Sequence, residues 1–203
     1  MSPYSWFAAE RIERLLPQAR WQGVLAGAIF KQNGRTSWGL TERRARGIAD
    51  CEARAATHGL GPIRWPEPWP TSDLLVARAM AFVARSPTHP ERAAAHATAA
   101  AGEARDPLKA FALVAMRLAF LEGADLGELD AVLEAGRRTG IAEDELRGAL
   151  AEQGVKDALR AATDEALALG VFGVPTVLIG EELFWGDDRL EEAVAAYASG
   201  RQA

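Results

Sequence analysis

Apolar residues near the start of the chain recur at helical steps. From Pro3 to Leu16, Phe7, Ala8, Ile12, Leu15 and Leu16 follow one another at spacings of three and four, with Glu10, Arg11, Glu13 and Arg14 between them. That pattern predicts an amphipathic helix, and Pro3 stands in a first-turn position that proline suits. The next apolar run, Trp21 to Phe30, is rich enough in apolar and β-branched residues to predict a short buried strand ended by Gln32, Asn33 and Gly34. A helix is predicted from a Thr41 cap to His58, with Gly59 as its stop and with Ile48, Cys51 and Ala55 on one face. Pro62 to Pro70 holds four prolines in nine residues and predicts an extended strap whose Trp65 and Trp69 pack on the body.

The middle of the chain reads as helix after helix. Thr71–Arg85, Thr88–Ala101 and Asp106–Glu122 are predicted as three, the last with Asp106 as cap, Pro107 in its first turn and Gly123 as terminator. Asp125 followed by Glu128 resembles a capping box for another, and two more are predicted at Ala142–Gln153 and Val155–Leu169. The last forty residues differ. Gly170 stops a helix, GVFGVP turns, and TVLIG and LFWG form two strands around Glu181 and Glu182 before a final helix that begins at Asp187 or Asp188. Helix, proline loop, hairpin and helix make the C-terminal half of a thioredoxin-type fold, whose other half is strand, helix, strand.

Composition supports a mostly helical protein. Of 203 residues, 49% are hydrophobic but only 7% aromatic, because 42 are alanine, the best helix former. A net charge of -5 argues against a general nucleic-acid surface, which needs clustered Lys and Arg. The single cysteine, Cys51, excludes an intrachain disulfide and a Cys-x-x-Cys redox centre, and His58, His89 and His96 lack the spacing of a metal site. No metal is expected. The longest uncharged run, Ala166–Gly180, has 15 residues including three Gly and a Pro, too few for the roughly 20 that a membrane span needs. The order of residues at the start is not that of a signal peptide. These features lead us to expect a reduced, cytoplasmic protein without membrane or nucleic-acid partners.

Three places along this pattern offer chemistry. At Val174-Pro175, a proline entering a strand, a cis bond is expected, which would turn the N–H and C=O of Val174 toward an extended peptide-like ligand; an ordinary trans turn is the alternative. Ser2 precedes the first helix, where the positive end of the helix favours anions; it either caps that helix or donates a hydrogen bond to a bound thiolate. Asp187 and Asp188 either cap the last helix or bind the ammonium of an amino-acid head group while the helix amides hold its carboxylate. Lys31, Arg35, Arg43 and Arg44 read as a solvated face or as a cationic rim. Cys51 reads as a small buried hydrophobe.

The stretches SPYSWFAAERIERLL and GVFGVPTVLIGEELFWGDDRLEEAV resemble the DSBA-like thioredoxin superfamily, in its 2-hydroxychromene-2-carboxylate isomerase and kappa-class glutathione transferase branch. The resemblance implies an α/β thioredoxin-like fold with a large all-helical insertion. It implies a discontinuous thioredoxin-like domain over 1–40 and 165–203 and a helical domain over 41–164. The fold's first strand is expected to be missing, since Met1 abuts Ser2. The resemblance further implies glutathione or another low-molecular-weight thiol as cofactor, with Ser2 on its sulfur and Pro3 and Tyr4 beside it. Val174, before cis Pro175, would pair with its cysteinyl backbone, and Asp187 and Asp188 would hold its γ-glutamyl group. Arg35 stands where the family has a glutathione-binding asparagine, which opens the identity of the thiol.

The implied reaction is isomerisation of an aromatic carboxylate by thiolate addition, bond rotation and elimination. Conjugation of an electrophile by a kappa-like transferase, or binding without catalysis, are the alternatives, and disulfide exchange is not expected. A homodimer is the implied assembly. Tyr4, Trp6 and Trp38 are candidates for an aromatic substrate pocket.

Overall fold

The computed structural model describes residues 1–85 and 106–200, so the helix predicted over Thr88–Ala101 lies outside the described residues. Helix α1, Pro3–Leu15, buries residues on two sides. Trp6 and Phe7, both fully buried, enter a large core with Phe111, Phe120, Leu126, Val132 and Leu146. Ala8, Ile12 and Leu16 enter a second core with Phe184, Leu190, Ala193 and Ala196. Helical spacing explains the split, since consecutive residues lie about 100° apart around the axis. A fully buried Phe such as Phe7 contributes roughly 1.5–3 kcal/mol relative to leaving it exposed, so α1 is fixed from both sides. The segments 1–40 and 41–164 thus share one core.

The segment Trp21–Phe30 is not a strand. It runs without ladder partners to Leu25, whose backbone is extended and whose N–H donates to Thr163 Oγ1 at 3.1 Å, and then forms helix α2, Ala26–Gln32. Its backbone lies close to Met80, whose Cβ would be 2.9 Å from a Cβ on Gly23. An apolar run without periodicity cannot separate strand from short helix, and here tertiary contacts decide.

Helix α3 spans Arg44–Thr57 and buries Cys51 and Ala55. Its cap is Arg43, two residues later than predicted, and the Thr41 hydroxyl accepts the N–H of Arg43 in the preceding turn. The strap packs as expected, with Trp69 buried and Trp65 half-buried against the main core. Its Glu67–Pro68 and Trp69–Pro70 bonds are cis.

Helix α4, Leu74–Arg85, packs on α5, Pro107–Leu121, the centre of the helical body. Asp106 Oδ1 accepts the N–H of Leu108 at 2.8 Å, the predicted cap, and eleven of fifteen residues in α5 are buried, as befits a helix apolar nearly all round. Asp125 does not form the predicted capping box. Its Oδ1 accepts from Gly127 N at 2.7 Å, and α6, Leu129–Arg138, begins after Glu128. Helices α7, Glu143–Ala151, and α8, Gln153–Ala168, complete the body.

Two antiparallel strands follow, β1 (Thr176–Ile179) and β2 (Glu182–Trp185), with Thr176 opposite Trp185 and Ile179 opposite Glu182. They form the one sheet among the described residues. A short 3-10 turn, Asp187–Arg189, leads into α9, Leu190–Ala198, which lies against α1 and the hairpin.

Candidate functional site

At the start of α1, Ser2 adopts extended backbone and its Oγ accepts the N–H of Ser5 at 3.4 Å, while its carbonyl accepts from Trp6 N at 3.2 Å. Ser2 is therefore the helix cap. Its hydroxyl proton remains available, because a hydroxyl that accepts still has one hydrogen to donate. Pro3 is buried and has no N–H, and the Ser5 N–H is taken, which leaves the Tyr4 N–H as the other first-turn donor.

One turn in, the Tyr4 ring meets Phe7 and Trp38 edge-on, with centroids 6.2 and 6.4 Å apart, and the Arg54 guanidinium lies 5.5 Å from its centre. Cys51 is a close neighbour of its hydroxyl. Burial pushes the Tyr4 phenol well above its ordinary value, and burial pushes the Cys51 thiol up to about 11. Neither ionises at neutral pH, and Cys51 is fully buried.

The C-terminal turn forms the second part. Val174–Pro175 is cis, as expected. Pro175 O accepts from Gly186 N at 2.9 Å, and Thr176 Oγ1 donates to Gly173 O at 2.8 Å, so the proline turn is tied to the end of β2. Asp187 follows and turns inward, with only 1% of its surface exposed. Arg54 donates to its Oδ1 at 2.6 Å, Arg11 donates to its carbonyl at 3.0 Å, and His58 Nε2 lies 3.7 Å from its Oδ2. Arg11 also pairs with Glu191. Burial raises the Asp187 carboxyl above the usual aspartate range, against the pull of Arg54. Asp188, in contrast, is exposed.

Arg35 closes this turn from the other side. Its guanidinium carbon stands 4.4 Å from the centre of the Trp185 ring and 5.8 Å from that of Phe172, and it donates to Phe172 O at 3.4 Å.

The structure thus gathers Arg35, Val174, Pro175, Asp187 and Asp188 around one turn, and links Tyr4 to that turn through Arg54. The polar contacts of Ser2 remain within its own helix. Arg11, which meets Asp187, is nine residues further along α1, about 13 Å at 1.5 Å per residue. Trp6 is core: fully buried, stacked on Phe120 at 5.6 Å and donating to Glu10. Trp38 instead joins Trp69 and Trp65, with centroids 4.8 and 6.3 Å away. Of the four cations read as a solvated face or a rim, Lys31 and Arg43 are exposed, and Arg44, also exposed, donates to Trp69 O at 3.4 Å. Arg11, Arg54 and His58 were missed as partners of Asp187, although Arg54 stands three residues after buried Cys51, on the same side of α3.

A depression of about 410 Å³, lined by Glu52, Ala56, Leu60, Gly61, Pro62 and Ile63, contains none of the expected residues. Among the described residues, no group of His, Cys, Asp and Glu is placed to hold a metal ion, and no helix is long and apolar enough to cross a membrane.

Residues 1–198 match the family of DSBA-like thioredoxin domains. The structure is similar to that of a 2-hydroxychromene-2-carboxylate isomerase, with a TM-score of 0.75 and 18% identity over 98% of this chain and 90% of that one. It is also similar to a probable DsbA oxidoreductase from Streptomyces coelicolor, with a TM-score of 0.64 and 18% identity over 100% of this chain and 87% of that one. No curated protein matches the chain by sequence.

Proposed function

Because the chain belongs to the DSBA-like thioredoxin domain family, with the mostly helical thioredoxin-like fold that its two terminal motifs led us to expect, we propose that it is a thiol-dependent isomerase. The thiol is glutathione or a similar small molecule, and the substrate is an aromatic carboxylate of the 2-hydroxychromene-2-carboxylate type. One observation carries this reading. Ser2, not a cysteine, stands at the start of α1, and the chain's one thiol, Cys51, is fully buried under Tyr4 and protonated at neutral pH. Disulfide exchange needs an accessible thiolate, so the reacting sulfur comes from outside the protein.

When bound, a small thiol supplies a sulfur nucleophile that adds to a conjugated double bond and leaves again after the bond has turned, with no net oxidation. The chain's part is to hold that sulfur as an anion and to orient it. The positive end of α1 favours the anion, and the Ser2 hydroxyl and Tyr4 N–H are the donors available there. Val174 offers its backbone to the thiol's peptide. Asp187 and Asp188 hold an ammonium on the thiol: Asp187 Oδ1 is shared with Arg54, its buried Oδ2 accepts no hydrogen bond, and Asp188 is exposed beside it. Positioning of this kind contributes up to about 7 kcal/mol or more to such a reaction. If the sulfur is not expelled, the same groups make a conjugating transferase. The reading also includes a homodimer working in the cytoplasm.

The test is spectrophotometric. Isomerisation of 2-hydroxychromene-2-carboxylate should require glutathione in catalytic amount. Ser2→Ala, checked for retained helix content, should lower kcat/KM by about 10–100-fold, the loss of one hydrogen bond to a charged group. A stable thioether instead would identify the transferase. No turnover, together with no thermal shift on adding any biological thiol, would overturn the proposal.

A further inference from the structure

Arg35 has an arrangement that its surroundings do not use up. Among the described residues no carboxylate forms an ion pair with it, although it is exposed and held in one place by three contacts. Its guanidinium lies over Trp185 and reaches Phe172, and those rings meet at 60° with centroids 5.0 Å apart. Both residues remain 37% exposed. The platform is built closely onto the proline turn. A Cβ on Gly173 would stand 2.3 Å from Trp185 Nε1, so the indole rests directly on the backbone one residue before Val174.

We infer that Arg35, Trp185 and Phe172 form a subsite for a planar aromatic carboxylate. A guanidinium over a ring face keeps N–H groups at its edge for a carboxylate, and here Nη1 is the nitrogen that donates to Phe172 O. The stack has already restricted the side chain, so less freedom is lost when an anion arrives. The exposed rings beside it suit the flat apolar body of such an acid, which a simple peptide carboxylate would leave uncovered. Phe172 is two residues from Val174, at most about 7 Å along an extended chain, so the acid would lie next to whatever pairs with Val174. This deepens the reading above and rests on it only for the identity of the substrate.

The experiment uses 1-naphthoate, which has the ring and the carboxylate but no double bond to attack, with titration calorimetry on the whole chain. The wild type should bind naphthoate and should bind the neutral 1-naphthalenemethanol at least tenfold more weakly. Arg35→Gln should weaken naphthoate about 10–100-fold, and Arg35→Lys should fall between. Thermal melting of each variant checks that the fold is kept. Equal naphthoate binding by wild type and Arg35→Gln, or none by the wild type, would overturn the inference. So would Arg35→Gln weakening glutathione but not naphthoate, which would give the corner to the thiol's carboxylate. Naphthoate binding that depends on Arg35 in a protein without isomerase activity would leave the inference standing and remove the functional reading. Isomerase activity with Arg35-independent naphthoate binding would do the reverse.

Discussion

Replacing Gly173 by alanine tests whether the proline turn and Trp185 are in contact as described. A Cβ there would lie 2.3, 2.8 and 3.1 Å from Nε1, Cε2 and Cδ1 of Trp185. Ordinary contact begins near 3.4 Å, so the indole has to retreat by roughly 1 Å or more, a form of overpacking that costs about 1–3 kcal/mol. Retreat weakens the Arg35 stack, worth about 0.5–1 kcal/mol at an exposed site, and the Phe172 pair, worth about 0.5–1.5 kcal/mol. Against this, Gly173 has no left-handed backbone, so alanine lowers the entropy of the unfolded chain and returns about 0.4–1 kcal/mol. With the ring contacts counted as lost in full, the net expectation is a loss of about 1–5 kcal/mol. Urea unfolding of wild type, Gly173→Ala, Trp185→Ala and the double variant measures it. Without the indole, Gly173→Ala should become neutral or slightly stabilising, a coupling of about 2–5 kcal/mol. Should Gly173→Ala cost the same with and without Trp185, the contact is not the cause and the reasoning fails.

Cys51 should resist a thiol reagent such as DTNB in the native protein at pH 8 and react fully in denaturant, because burial keeps it a thiol up to about 11; rapid native labelling would contradict the burial. Burial first, then Arg11 and Arg54, holds the His58 imidazole below its ordinary 6.5, so the unfolded chain takes up a proton that the folded one refuses. The stability due to neutral His58 is present above pH 6.5 and is lost as pH falls below it. His58→Gln should flatten the fall in Tm between pH 7 and 5, and an unchanged slope would count against this. Asp106→Ala removes the bond to Leu108 N at 2.8 Å and should cost about 1 kcal/mol in chemical denaturation, whereas Asp106→Asn should retain most of the stability.

Much of the fold was legible because its signals are local. Pro3 and Pro107 at helix starts, Asp106 as a cap, and the hairpin after Pro175 each depend on a few neighbouring residues, and all four are where the pattern put them. The failures are those where distant partners decide. Trp21–Phe30 carries an apolar run that reads equally as strand or helix, and only Met80 and Thr163 settle it. Asp125 and Glu128 match a capping box in spacing, but Asp125 satisfies the nearer Gly127 N–H instead. The candidate site divides in the same way. Ser2 and Val174 announce themselves through a helix start and a proline. Asp187 gave no sign that it would be buried, because Arg11, Arg54 and His58 come from two other helices.

The Arg11–Asp187 pairing has a consequence for how the molecule is made. The two residues are separated by 176 positions. At a synthesis rate of about 5–20 residues per second, Arg11 waits roughly 10–35 s for its partner to be polymerised. Throughout that interval the nascent first helix carries a cation without its carboxylate and an apolar flank, Ala8, Ile12 and Leu16, without the C-terminal residues that cover it. The second core is therefore completed only once Phe184 to Ala196 have been made, after every buried residue of the large core, the last of which is Leu150.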